Sequence, residues 1–269
     1  MKLSLITVCY NAEKTIARTA ESVLRQADVD LEYIIVDGGS QDGTVREIEN
    51  FARKTGEPEA KAAGDGRRTF AFKWISEKDG GMYDAINKGI RMATGDVIGI
   101  LNADDWFDGD DALLRVCQGF ADSAVDCVFG DVRFVTDGRT VRYYSARGWR
   151  PWMFQWGKMP PHPGVYIRRA CFDRLGGYRP GYQIAADYEL LIRFLRRNAI
   201  PAKYLDTCLV CMALGGKSTR SWRSNWVLNR EIVRGNRENG YFCCLPMLAP
   251  KYVFKIFEFI LPRLGIGRR

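Results

Sequence analysis

Polar and apolar residues alternate along Lys2–Tyr10, and the β-branched content of that stretch predicts a strand. The period changes over Ala12–Gln26, where Ile16, Ala20, Val23 and Leu24 fall at helical spacing. Glu32–Val36 predicts a second strand, closed by Asp37-Gly38-Gly39-Ser40, and Thr44–Lys54 a second helix. Residues 56–69 are rich in Gly, Ala and charge without a period and predict a surface loop. Strand Phe70–Ser76, helix Tyr83–Ala93 and strand Val97–Leu101 follow. Such strand–helix alternation predicts a parallel sheet covered by helices. Beyond Asp111 the pattern predicts a helix at Ala112–Ala121, strands at Asp126–Asp131 and Arg139–Tyr144 around the turn Thr136-Asp137-Gly138, and a Trp-, Gly- and Pro-rich loop at Ser145–Pro161. An amphipathic helix at Asp187–Asn198 and a strand at Ala202–Leu214 complete it.

The stretch VIGILNADDW, residues 97–106, ends an apolar strand on two adjacent acids. Open α/β sheets bind ligands at the carboxyl ends of their strands. Asp37 and the pair Asp104–Asp105 each follow such an end, so the fold brings them to one edge. Carboxylates in a crevice repel each other unless a cation neutralises them. Oxygen ligands of this kind suit Mg²⁺ or Mn²⁺ held jointly with substrate phosphates.

Composition narrows the class. With 269 residues, 46% of them hydrophobic, the chain can build one large core. MKLSLITVCYNAE has no leader-type cleavage pattern, and no run of about 18 uncharged apolar residues occurs. The eight cysteines lie mostly in apolar runs, which predicts reduced core thiols and a cytoplasmic protein. Cys208-Leu-Val-Cys211 lacks the second pair that a zinc site needs. The charge of +8 resides in residues 217–269, where eleven Lys and Arg face three Glu; the first 216 residues are neutral.

Several stretches together resemble the family-2 glycosyltransferases of GT-A fold: ITVCYNAEKTIARTAESVLRQ, EYIIVDGGSQDGT, SEKDGGMYDAINKGIRMATGDVIGILNADDW, FGDV, HPGVYIRRACFDRLGGY and AADYELLIRF. The resemblance runs from about residue 3 to about residue 215. It implies a mixed, mostly parallel central sheet flanked by helices. It also implies transfer of a sugar from a nucleotide diphosphate-sugar, with Mn²⁺ or Mg²⁺ and with inversion at the anomeric carbon. A UDP-sugar is the favoured donor, and a saccharide or lipid-linked molecule the acceptor.

Residue by residue, Val8, Tyr10 and Asn11 match the family's first nucleotide loop, and Asp37 its acid at the base or ribose. Asp104 and Asp105 match the metal motif, with Asn102 where many members carry Asp. Asp187 matches the catalytic base, with Ala186 in place of the usual Glu. Asn87 and Lys88 are candidates for the nucleotide-sugar. Asp84, Asp131 and His162 are candidates on the acceptor or phosphate side.

Blander readings stand beside these. Asp104–Asp105 and Asp37 can be turn residues, Asp187 can cap its helix, with Glu189 as reserve base, and His162 can be a packed loop residue. A nucleotidyltransferase is disfavoured because CYNAEKT is not a Gly-rich basic loop, and a non-catalytic binding protein because the acids at 37, 104, 105 and 187 are all present. The sequence divides into a transferase domain, 1–216, and a basic, aromatic-rich extension, 217–269. That extension suits an anionic membrane at the inner face of the cytoplasmic membrane. No nucleic-acid motif accompanies it.

Overall fold

The computed structural model describes residues 1–56, 61–62, 69–213 and 222–252. In chain order it forms β1 (Lys2–Cys9), α1 (Ile16–Leu24), β2 (Asp30–Asp37), α2 (Thr44–Thr55), β3 (Lys61–Ala62), β4 (Thr69–Ser76), α3 (Met82–Met92) and β5 (Val97–Ile100). Then come β6 (Trp106–Phe107), α4 (Ala112–Gly119), β7 (Cys127–Thr136), β8 (Arg139–Tyr144), β9 (Val165–Arg168), α5 (Arg169–Leu175), α6 (Ala186–Leu191), β10 (Ala202–Ala213) and α7 (Trp222–Glu238).

One sheet runs β3-β4-β2-β1-β5-β9-β7-β10-β6, with β8 on β7. Strands β4, β2, β1 and β5 lie parallel side by side. Strand β9 runs antiparallel to both β5 and β7 and joins the halves; β10 is parallel to β7. The period-2 pattern resolves into two cores. Leu3 and Leu5 of β1 with Leu31, Tyr33 and Ile35 of β2 form one core with residues of α1, α2 and α4. Ile6 and Val8 with Ile34 and Val36 join residues of α3, α6 and α7 in the other. Gly89 lets α3 press onto β1, since a Cβ there would lie 2.5 Å from Ile6 Cγ2.

The short elements β6, β9 and α5 were outside the sequence expectation. Two to four apolar residues carry no period, so only pairing with β5, β7 and β10 makes strands of Trp106–Phe107 and Val165–Arg168. Helix α1 begins at Ile16 rather than Ala12, because the chain first turns at Asn11, whose φ is 51°. The amphipathic run at 187–198 divides into α6 and a π-turn at Ile192–Arg197, a local widening often found near functional sites. The loop at 56–69 lies mostly outside the described residues, although Lys61–Ala62 pairs with β4.

The basic extension enters the core. Ile232, Val233 and Asn236 of α7 are buried, as are Asn239, Cys243 and Leu248 beyond it. Helix α7 packs on α6 and on the 3₁₀ turn Pro151–Trp156. The expected boundary at 216/217 and the segment 253–269 lie outside the described residues. Among the described residues no helix is long and apolar enough to cross a membrane, and all eight cysteines are free thiols.

Candidate active site

The parallel strands deliver their carboxyl ends to one edge. There Asp37, the last residue of β2, sits in register with Cys9 of β1 and Ser76 of β4. Its side chain is 0% exposed. It accepts hydrogen bonds from Gly39 N (3.1 Å), Ser40 N (2.9 Å), Ser40 Oγ, Ser76 Oγ (2.7 Å) and Cys9 Sγ (3.5 Å). Burial works to raise its pKa, but the donations from Ser40 and Ser76 hold it below the usual carboxylate value. Every lone-pair direction is engaged, so Asp37 ties three strand ends together and presents no spare oxygen. Asp79 lies against the next residue: a Cβ on Gly38 would be 2.6 Å from Asp79 Oδ2.

The loop after β1 is tied to the same turn. Asn11 N donates to Ser40 Oγ (2.8 Å), and Asn11 Oδ1 accepts from Gln41 N (2.9 Å). Val8 is buried beneath, while Tyr10 stands half exposed at the rim.

Asp105 is 1% exposed. Its Oδ2 accepts from Asn102 Nδ2 at 2.9 Å, so the Asn in the motif has become the partner of the acid it precedes. Burial and the neighbouring Asp104 raise the Asp105 pKa to about 8. Helix α1 fixes the backbone of the pair: Arg18 Nη2 donates to Asp104 O (2.9 Å), and Thr19 Oγ1 to Asp105 O (2.7 Å). The Arg18 guanidinium also stacks on Trp106, 3.9 Å from the ring centre. The backbone of Ala213 donates to the Asp105 carboxyl group. A dehydrated carboxylate beside a second one is donor chemistry that suits a hard divalent cation. Asp104 and Asp105 fit such an ion.

Helix α3 connects this edge to the next cluster. Asp84 accepts from Gly80 N (3.0 Å), and Lys88 pairs with Glu77 (2.8 Å) and donates to Lys78 O (3.1 Å), so both brace the 77–81 turn. Asn87 spends its amide on the backbone of Tyr178, donating to its carbonyl (2.8 Å) and accepting from its N–H (2.9 Å). In this structure it is a clamp between α3 and the 177–178 segment.

Asp187 lies in the first turn of α6 and is half-buried. It is not the N-cap, which is Ala185 and carries no side-chain cap. Its Oδ1 accepts from Tyr188 N (2.8 Å) and faces Tyr83 OH at 3.4 Å. Burial dominates and raises the Asp187 pKa, with His162 opposing. His162 in turn is shifted down by burial, against Asp187. Its Nε2 lies 2.6 Å from Tyr178 OH, and Tyr178 stacks on Tyr83 at 5.6 Å. The structure thus brings Asp187 and His162 together through two tyrosines that sequence reasoning missed. Tyr83 sits in the quoted GGMYDAINKG, but nothing local separates it from a core aromatic.

Two expectations are corrected. Asp131 is 2% exposed and accepts from Ala146 N (2.8 Å), Tyr143 OH (2.9 Å) and Tyr204 OH (3.0 Å). It anchors the Trp-rich loop to β7 and offers no oxygen to an acceptor. Glu189, the reserve base, is buried in ion pairs with Arg193 (3.1 Å) and Arg179 (3.2 Å) and accepts from Asn239 (3.2 Å), so its oxygens are engaged in structural contacts.

A mixed sheet with acidic loops at its carboxyl edge and a separate carboxylate on a later helix defines a GT-A glycosyltransferase. S. aureus TarS 1–349 in complex with UDP-GlcNAc has the same fold, with TM-score 0.63, 18% identity, and cover of 96% of this chain and 73% of that one. The mannosyltransferase PcManGT from Pyrobaculum calidifontis, in complex with GDP-Man and Mn²⁺, gives 0.61 at 17% identity, covering 97% and 73%. The chain belongs to glycosyl transferase family 2, which it matches over residues 4–179. A PGL/p-HBAD biosynthesis glycosyltransferase of Mycobacterium bovis is 29% identical over 233 residues, 86% of this chain and 82% of that protein.

Proposed function

We propose that this glycosyltransferase moves a sugar from a nucleoside-diphosphate sugar, a UDP-sugar first, to a hydroxyl of a saccharide or lipid-linked acceptor, with inversion. The observation that carries the reading is the placing of two acids, buried Asp105 and half-buried Asp187, on separate segments of the fold. Asp105 sits at the sheet edge, and Asp187 opens a helix more than eighty residues later. A single displacement needs that separation, because the leaving diphosphate and the attacking hydroxyl lie on opposite faces of the sugar. The UDP-GlcNAc and GDP-Man complexes of the two structural neighbours support a nucleotide-sugar donor.

In this reading Tyr10, Val8 and Asn11 shape the base pocket, with Asp37 holding their loop to its neighbours. Asp84, Asn87 and Lys88 hold the turn and the segment around the donor. Asp104 and Asp105 would hold Mn²⁺ or Mg²⁺, and the ion would supply positive charge for the departing diphosphate. Asp187 takes the proton of the acceptor hydroxyl as its oxygen attacks the anomeric carbon; the bond from that carbon to the diphosphate oxygen breaks, and the nucleoside diphosphate leaves. Asp187 Oδ1 accepts from Tyr188 N and Tyr83 OH, and Oδ2 is the oxygen assigned to the acceptor hydroxyl in this reading. His162 lies on the acceptor side and tunes Asp187. Incubation with a panel of nucleotide-sugars and Mn²⁺ is expected to release one nucleoside diphosphate, and EDTA to stop the release. Release from none, with the protein folded, would overturn the reading.

A docking role at an anionic membrane face belongs to the same proposal. Trp152, Trp156, Trp226, Phe242, Leu245 and Tyr252 are exposed large side chains on three segments that pack together. Arg230 stacks on Trp226 (4.5 Å) and Lys251 on Tyr252 (5.2 Å), which puts positive charge beside the aromatic surface. Aromatic and basic side chains together suit an anionic lipid interface. The protein is expected to float with vesicles containing phosphatidylglycerol, and the Trp226→Ala/Phe242→Ala variant to float less. Equal flotation of the two proteins would remove the role.

A further inference from the structure

We infer that Glu231 of α7 is a positioning residue for the base Asp187, so that the basic extension supports catalysis as well as any surface contact. The inference rests on the proposed role of Asp187 as base. Glu231 is 8% exposed. Its Oε1 accepts from Gln183 N (2.7 Å), and its Oε2 from Ile184 N and Ala185 N (both 2.9 Å). These are the three amides immediately before α6, outside the helix's own hydrogen-bond ladder, and the N-cap Ala185 has no acceptor side chain. A carboxylate arriving from α7 supplies the acceptor for all three and so fixes the entry of the chain into α6. Charge-assisted bonds to backbone N–H groups are the stronger kind.

The contact reaches the base through one peptide. Ile184, whose N–H Glu231 holds, offers its carbonyl to Tyr83 OH (2.5 Å), the hydroxyl that also faces Asp187 Oδ1. Two more side chains of α7 grip the same segment. Arg234 Nη1 donates to Gly181 O (2.9 Å), and Tyr182 OH donates to Glu238 (2.7 Å). Seen from the sequence, Glu231 and Glu238 are two of the three acids in a basic stretch; in the structure both turn inward to the 179–185 segment.

Release of Glu231 frees residues 183–185, and with them the Tyr83 hydroxyl and the orientation of Asp187. The distant donor edge is untouched. Glu231→Ala is therefore expected to lower kcat, counted per donor-binding site by calorimetry, about 10–100-fold, with KM for the donor within about twofold. Movement of the Tyr83 hydroxyl relative to Asp187 should also displace the acid limb of the kcat–pH profile, with Tyr83→Phe as the reference. His162 and Tyr178 face Asp187 from the other side and remain in both variants. Glu231→Gln keeps one acceptor oxygen and should recover part of kcat. A purely structural role would lower the number of donor-binding sites while leaving kcat per site and the pH limb in place, and that outcome overturns the inference. Asp187→Asn run in parallel separates the failures. If that variant is inactive while Glu231→Ala keeps full kcat, only the positioning role falls; if Asp187→Asn is fully active, the base assignment falls first.

Discussion

Asp187→Asn is expected to fold, to bind donor as the parent does, and to lose about 10²–10⁴-fold in kcat, the usual contribution of a general base. The amide has the shape of the carboxyl, and its Oδ1 can still accept from Tyr188 N and Tyr83 OH. Burial already penalises the charge at this position, so removing the charge does not destabilise α6. Only the capacity to take a proton is lost. The parent enzyme carries a matching signature in pH. A base must be unprotonated to act, and burial lifts the Asp187 pKa above the ordinary carboxylate value. Activity should therefore rise with pH through a limb displaced above that of a free aspartate, and the limb should be absent from the residual activity of Asp187→Asn. Stopped assays from acid to neutral pH measure both.

The second large effect is at Asp105, where function and stability should part. The carboxyl group is dehydrated, lies beside Asp104, and its donors, the Asn102 amide and the Ala213 backbone, leave its pKa raised. Without a cation that arrangement is unfavourable, and an amide of the same shape is easier to bury. Asp105→Asn should melt at the same temperature as the parent or higher in metal-free buffer. It should also lose metal-dependent affinity for the nucleoside diphosphate. A lower melting temperature without metal, or unchanged metal-dependent affinity, would place Asp105 in a structural turn. Active sites commonly hold groups that favour function over stability.

The alternating periods of the first hundred residues were enough to predict the parallel half of the sheet, because β1 and β2 are long and buried and full-length helices separate the strands. The same reasoning placed Asp37, Asp104 and Asp105 at one edge, since strand ends and turn residues are local features. It stopped where function depends on partners distant in sequence. Asp37 turned out to be saturated by Ser40, Ser76 and Cys9, and Asn87 to clamp Tyr178; neither engagement is visible from spacing. Asp131 and Glu189 looked available until the tyrosines and arginines around them were in place. Glu231 lay in a stretch read as a basic surface, and only the packing of α7 on α6 shows its three amide partners. Short elements such as β9 escaped because their strand character comes from β5 and β7 rather than from their own four residues.

The central claim is that the carboxyl edge of the sheet binds a nucleoside diphosphate through a divalent ion, and calorimetric titration tests it most directly. Nucleoside diphosphates are titrated into the full chain with Mn²⁺ and again with EDTA. One of them, UDP first, is expected to bind with Mn²⁺ and to weaken at least about tenfold in EDTA. Binding of none of them to the folded protein in the presence of Mn²⁺ would contradict the account and leave the paired acids without a donor to hold.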